Sequence, residues 1–268
     1  MIHSLTRRRF LSRTAAAVAA VVASPAVQAA DEKKVVVVWS EATAPKNVYP
    51  DDINGAVVEG LKKDLPDWDV VKAGIDDPSQ GLSDELLNRC DVLVWWGHKR
   101  HGQVKDDLVD KIVKRVKEDG MGFIALHSAH FAKPNIKLME QMPTEAALLK
   151  KVRPANRVAA WGAYVGDSLK LTVTVTDPSH PIAAGVSEFT VDHHERYSDP
   201  YAVPQGKIIF EGSATLKKGG VDKSKQGFVW QIGKGKMFYF QPGHETNPIF
   251  MDANVRKIMA NAVKWAAK

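Results

Sequence analysis

The sequence predicts a doubly wound α/β domain, a mostly parallel sheet with helices on both faces and a β-rich extension toward the C-terminus. Three observations support this. Short, nearly continuous apolar runs recur along the chain, as expected of parallel strands buried on both faces. Amphipathic patterns separate the early runs, the signature of βαβ units. From about Trp161 the pattern switches to successive strands with no helix between them.

Val35–Trp39 is the first strand, ending at Ser40-Glu41 before a loop with Pro45, Tyr49 and Pro50. Asp51 or Asp52 is placed to cap a helix in which Ile53, Val57, Val58 and Leu61 share one face. Trp68–Lys72 is a second strand, Asp76–Ser79 a turn, and Ser83 the cap of a short helix. Asp91–Trp96 is the third strand, followed by amphipathic Lys105–Glu118 with Leu108, Ile112, Val113 and Val116 inward. Phe123–Leu126 follows the turn signal Gly120-Met121-Gly122 as a buried strand. Leu169–Val175, Glu188–His193, Ile208–Phe210 and Phe228–Ile232 make the β-rich part. Met237–Phe240 returns to a buried strand, and Asn254–Ala266 closes the chain as a helix with Val255, Ile258, Ala262 and Trp265 on one face. Right-handed crossovers place the helices on both sides of the sheet.

The 268 residues are 44% hydrophobic and 25% charged, ordinary for a soluble globular protein. The formal charge of +6 is concentrated at the N-terminus. Residues 1–29 carry Arg7, Arg8, Arg9 and Arg13 and no acid, so the remainder holds 33 basic against 31 acidic side chains. That balance excludes the basic footprint of a nucleic-acid-binding protein. Thr6-Arg7-Arg8-Arg9-Phe10-Leu11 resembles a twin-arginine export motif. The Ala/Val stretch Ala15–Ala23 and the cleavage-type Val27-Gln28-Ala29 follow it. Export to the periplasm or medium is expected, leaving a single domain over residues 30–268. The stretch is too short and Ala-rich for a stable membrane span. Cys90 is the only cysteine, so the chain has no internal disulfide, and its place before Val92–Trp95 suits a buried apolar role.

Polar residues gather where strands end. His98 and His101 follow the third strand, and His127 and His130 the fourth. His193, His194, Glu195 and Tyr197 lie at the end of a strand of the β-rich part, and His244 and Glu245 follow the last strand. Seven of nine histidines fall in these clusters, with His3 and the turn residue His180 outside. Imidazoles of this kind ligate first-row metals, with carboxylates such as Glu195 or Glu245 beside them, or act as general acid and base near neutral pH. The spacings match no zinc signature, and no cofactor is fixed by them. Leu126-His127-Ser128-Ala129-His130 is too bulky for a Gly-x-Ser-x-Gly nucleophile elbow. Period-two alternation sends Trp95 and Trp96 to opposite faces, and one of them, Trp96, is assigned to the crevice.

The segments 91–101 (DVLVWWGHKRH), 120–130 (GMGFIALHSAH), 177–182 (DPSHPI) and 242–246 (PGHET) together resemble the ThuA-like trehalose-utilisation family, over about Val35–Ala266. The resemblance implies a flavodoxin-like fold related to class I glutamine amidotransferases. It also implies a role with trehalose or related disaccharides, through 3-keto intermediates. Those amidotransferases carry a catalytic Cys at the elbow; His127-Ser128 stands there instead, so glutaminase activity is not expected. Carried over by motif, the site comprises Glu41, His98, His101, His127, His130, Glu195, Tyr197, His244 and Glu245.

On this reading His127, His244, Glu195 and Glu245 are catalytic, and Glu41, Trp96, His101 and Tyr197 bind a small carbohydrate. A divalent transition metal, if used, falls to His98, His130 and His244. The reaction class is a lyase, hydrolase or isomerase acting on disaccharides or their 3-keto forms. The alternative is a sugar-binding or accessory protein without turnover. Homo-oligomerisation is left open.

Overall fold

A computed structural model describes Met1 and residues 33–267. The expected twin-arginine motif, Ala/Val stretch and cleavage site of residues 1–29 lie outside the described residues. Five strands run parallel in the order β2-β1-β3-β4-β9: β1 (Val35–Ser40), β2 (Asp69–Gly74), β3 (Val92–Trp96), β4 (Gly122–Leu126) and β9 (Gly235–Phe240). This is the flavodoxin-like order, in which strands on either side of β1 are reached by crossovers of opposite direction. Four antiparallel strands continue the same sheet: β5 (Ala160–Val175), β6 (Phe189–Ala202), β7 (Lys207–Thr215) and β8 (Val221–Ile232), in the order β9-β8-β7-β5-β6. They enter the chain between β4 and β9, in its C-terminal half.

The alternation of each buried strand divides the core into two layers. Val36, Val38, Val94, Trp96, Ile124, Leu126, Phe238 and Phe240 face one side. There they meet Ile53, Val57 and Leu61 of α1 (Asp52–Asp64) and Val255, Ile258 and Ala262 of the closing helix (Ala253–Ala266). Val37, Trp39, Leu93, Trp95, Phe123, Ala125 and Tyr239 face the other side. They meet Leu87 of α2 (Asp84–Arg89), Leu108, Val109 and Ile112 of α3 (Asp106–Lys114), and Leu138 and Met139 of α4 (Lys133–Met139). Trp39 and Trp95, neighbours on β1 and β3, stack with ring centroids 3.7 Å apart. A further short helix, α5 (Ala146–Leu149), precedes β5, and the closing helix is therefore α6. No helix among the described residues is long and apolar enough to cross a membrane.

Of the six α-helices described, α2 and α6 begin with a side-chain cap and the other four do not. Ser83 accepts a hydrogen bond from the Leu86 amide at 3.2 Å, and Asp252 accepts from Asn254 and Val255. Neither Asp51 nor Asp52 caps α1 with its side chain. Asp52 instead turns back to the end of β1, where its carboxylate accepts from the Ser40 hydroxyl and, at 3.0 Å, from the Ala44 amide.

Glu188–His193 was expected as a strand with the polar cluster beyond its end; β6 instead runs on to Ala202, so His194, Glu195 and Tyr197 lie in mid-strand. Register shifts in the β5–β6 pairing bend this arm. Although β6 is the far edge of the sheet, hydrogen bonds draw it back over β8 and the end of β9. Fully buried Arg196 donates to Asp222 at 2.7 Å, Lys225 bonds Asp199 at 2.6 Å, and the Gln241 side chain donates to the Tyr197 carbonyl at 3.2 Å. This bending brings β6 to the ends of the parallel strands.

Cys90 is 1% exposed, and burial pushes its thiol up to about 12. The native protein is therefore expected to resist Ellman's reagent at pH 8 and to release one thiol equivalent on unfolding in guanidinium. Rapid native-state labelling would contradict the packing of this layer.

Candidate active site

The carboxyl ends of β1, β3, β4 and β9 border the crevice at which open α/β sheets bind ligands. Each delivers polar residues: Glu41 after β1, His98 after β3, His127 after β4, and His244 and Glu245 after β9. Glu195 and Tyr197 come from β6.

His127 occupies the turn out of β4 at φ 51°, a left-handed conformation that costs a non-glycine residue about 1–2 kcal/mol. Several contacts hold it there. Its Nδ1 donates to the Gln241 carbonyl at 2.8 Å, and its own carbonyl accepts from the Tyr239 hydroxyl at 2.9 Å. Gly243 lies against it at φ 143°; a Cβ there would come within 2.7 Å of Phe250 and 3.3 Å of the His127 Cβ. With its proton on Nδ1, His127 presents an unprotonated Nε2, 3.4 Å from Glu195 Oε1. Burial pushes the imidazole below its ordinary range and outweighs the opposite pull of Glu195. The strained elbow position thus belongs to His127, not to Ser128. The Ser128 hydroxyl donates to the Tyr197 hydroxyl at 2.7 Å, and Tyr197 donates to Glu195 Oε1.

His244 joins the two carboxylates. Its Nε2 is 2.9 Å from Glu195 Oε2 and 3.5 Å from Glu245 Oε2, while its Nδ1 is 2.6 Å from the Thr246 hydroxyl. His98 Nδ1 is 2.6 Å from Glu245 Oε2, and Lys99 Nζ is 2.6 Å from Glu245 Oε1. The three imidazole rings form a triangle, with centroids 5.1 Å (His98–His244), 5.4 Å (His127–His244) and 6.0 Å (His98–His127) apart. Burial alone would raise the Glu195 carboxyl, but the neighbouring His127 and His244 imidazoles and the Tyr197 hydroxyl prevail and hold it well below the usual carboxylate range. Burial opposes ionisation of Glu245 as well; His98 and Lys99 overcome it and bring that carboxyl down to about 2.

Of the residues expected from the sequence, His98, His127, His244, Glu195, Glu245 and Tyr197 converge here. Four take other places. Glu41 is fully buried, and its Oε2 accepts the amides of His98, Lys99 and Arg100 at 2.7–2.8 Å. It therefore shapes the loop that carries His98 and has no surface to offer a sugar. Trp96 is 1% exposed in the core, its indole donating to the Gly243 carbonyl at 2.9 Å, so it braces the turn before His244 and does not line a crevice. His101 sits behind the loop, with Nδ1 3.3 Å from Glu41 Oε1. His130 is turned away, bonded through Nδ1 to the His127 carbonyl at 3.1 Å and packed on Phe131 and Tyr197.

Two overlapping sets bring one ligand-type atom per residue within 4.8 Å of one another: His98, His244 and Glu245; and His127, Glu195 and His244. His130 belongs to neither, because its ring is held by the His127 carbonyl. His193 is exposed and His194 is buried. Sequence reasoning missed Gln241, which fixes the His127 tautomer and clamps β6, and Thr246, which orients His244. The signal for Gln241 was a polar residue directly after a buried apolar strand. It also missed Tyr164, 62% exposed, directly opposite Tyr197 in the β5–β6 register and 6.4 Å from it between ring centroids.

Comparison with known families decides what this site belongs to. The model of the trehalose-utilisation family, ThuA, matches residues 34–266. The chain belongs to the ThuA family. That membership supports a carbohydrate-related role. No curated protein matches this ThuA-family sequence. A ThuA-like protein from Parabacteroides merdae superposes with TM-score 0.61 at 14% identity, covering 87% of this chain and 89% of its own. One from Bacteroides uniformis gives 0.56 at 15% identity, over 90% and 94% of the two chains. A cytoplasmic protein from Salmonella typhimurium gives 0.56 at 13% identity, over 87% and 100%. At such identities these neighbours establish the fold.

The isolation of His130 has a measurable consequence. Burial, the largest influence, lowers its imidazole to about 3, with His127, His101 and Arg157 adding to the effect. Between an unfolded value of about 6.5 and the folded value, the unfolded chain binds a proton that the folded chain does not, so stability falls as pH drops through that window. Replacing the ring by a non-titrating one, His130→Phe, is expected to reduce the stability lost between pH 7.5 and 5 by about 2 kcal/mol. Urea titrations at the two pH values read this difference; equal losses in both proteins would show that His130 is not held neutral.

Proposed function

We propose that the protein is an exported enzyme acting on trehalose-like disaccharides or their 3-keto derivatives by histidine acid/base chemistry. The observation that carries this reading is the orientation of His127. Its Nδ1 proton is committed to the Gln241 carbonyl, and its Nε2 faces Glu195 and His244 at the strand ends. A neutral imidazole in that position is a general base already in its working form.

A 3-keto group acidifies the adjacent carbon–hydrogen bond. His127 Nε2 takes that proton, and the electron pair passes into the enolate. The glycosidic oxygen on the next carbon then leaves with its bonding electrons and receives the proton back from the imidazolium. Glu195, held ionised, stabilises the transient positive charge, and Tyr197 fixes the Glu195 carboxylate. Addition of water to the resulting double bond would complete a net hydrolysis. Tyr164 fits as a platform for a pyranose face at the mouth, since its exposed ring stands on the same side of the arm as Tyr197. The twin-arginine-like motif supports export, which suits an enzyme meeting disaccharides outside the cytoplasm.

Asn tolerates the left-handed backbone, so His127→Asn removes the base without disturbing the elbow. This variant is expected to lower kcat on 3-ketotrehalose by about 10²–10⁴-fold. Intact turnover in a His127→Ala, His244→Ala double variant would overturn the mechanism. Binding of disaccharides without any turnover by the wild type would instead favour a sugar-binding protein.

Tyr164→Ala is expected to raise KM about 3–10-fold with kcat unchanged, the loss of one aromatic contact. An unchanged KM would remove Tyr164 from the sugar site.

A further inference from the structure

We infer that His98, His244 and Glu245 form a binding site for a first-row divalent metal ion of the zinc type. Their ligand-type atoms lie within 4.8 Å of one another, on two loops fixed by the ends of β3 and β9. The set is two imidazoles and one carboxylate, a combination that leaves a catalytic zinc ion an open coordination position.

Each ligand is already oriented by a partner behind it. The Nδ1 of His244 is engaged by the Thr246 hydroxyl at 2.6 Å, which turns Nε2 toward the cluster. Lys99 takes Oε1 of Glu245 at 2.6 Å and leaves Oε2 toward His98 and His244. Glu41 holds the amides of residues 98–100 and so fixes the loop under His98. Outer partners of this kind set ligand direction and tautomer in metal sites.

The arrangement also leaves an electrostatic demand that protons meet poorly. Glu195 Oε2 and Glu245 Oε2 lie 2.9 and 3.5 Å from the same nitrogen, His244 Nε2. A single N–H can point at one of them. Both carboxylates are almost wholly buried; Glu245 has the Lys99 ammonium at 2.6 Å as a counter-charge, whereas the contacts of Glu195 are two imidazoles and the Tyr197 hydroxyl. A divalent cation held by His98, His244 and Glu245 would take the place of the proton between His244 and Glu245 and bring positive charge to the side of Glu195. When bound, such an ion polarises a substrate carbonyl. The inference concerns the same site as the proposed sugar chemistry, but metal binding is measured with no sugar present.

The test is calorimetric titration of Zn²⁺ into chelator-treated protein, with Co²⁺ absorption spectra recorded in parallel. One equivalent of Zn²⁺ should bind, and Co²⁺ should give visible bands of a four- or five-coordinate nitrogen/oxygen site. His98→Ala and Glu245→Gln should each weaken Zn²⁺ binding by more than the about 10–100-fold typical of outer-shell changes. His193→Ala, at an exposed histidine outside the set, should bind as the wild type does. No stoichiometric binding, or binding indifferent to His98→Ala and Glu245→Gln, overturns the inference; the Co²⁺ spectrum of the wild type decides the matter even if a variant misfolds. Protein that turns over 3-ketotrehalose but binds no Zn²⁺ would retire the ion and keep the sugar chemistry. A metal-binding protein inert toward such substrates would do the reverse.

Discussion

The left-handed turn at His127 is the constraint to which the rest of the site is fitted. The backbone takes φ 51° as it leaves β4, and the His127 side chain there is wholly buried. The cost is offset locally by hydrogen bonds to Gln241, Tyr239 and His130, all buried and therefore strong. Gly243 completes the fit by offering no side chain where the His127 Cβ lies. Strain of this kind persists where surrounding packing over-determines it, and such places are enriched in functional residues.

Three glutamates expected at the site are buried, and their different partners give them different work. Glu41 is spent on backbone amides, so its charge stabilises a loop. Glu195 is shared among two imidazoles and a phenol, so its charge is available to a proton moving between them. Glu245 pairs with His98 and with Lys99, whose side chain is 58% exposed, so it links the interior to the rim. The same side-chain chemistry thus yields scaffold, relay and link, according to whether the partner is an amide, an imidazole or a solvent-facing ammonium.

Most of the parallel sheet was legible because its strands are uninterrupted apolar runs, and the helices because their buried positions recur every three or four residues. The histidines after β3, β4 and β9 were legible for the same reason, since each follows an unmistakable strand. What escaped notice lies where local pattern and tertiary role diverge. His194, Glu195 and Arg196 read as a strand's end because polar residues break its apolar pattern; all three are buried, Arg196 against Asp222 and Glu195 against Tyr197 and His244. Alternation correctly separated Trp95 from Trp96, but both faces of β3 are covered, so each ring lies in a core layer and neither lines a crevice. A positive φ at a histidine leaves no mark in the sequence, whereas Gly243 does. Tyr164 sits in a bent part of β5, where irregular register hides its alternation.

The antiparallel arm lies between β4 and β9 in the chain although those two strands are neighbours in the sheet. The His127–Gln241 hydrogen bond therefore closes a loop of 114 residues. Contacts of such separation form late, because closure entropy precedes the reward of pairing. A nascent chain holding β1 to β4 but not β9 would carry an open, wholly apolar strand edge at β4, the kind of edge that invites association between chains. Release of a soluble, competent molecule is thereby tied to the last part of the chain, and the elbow at His127 acquires its support only when translation is nearly complete.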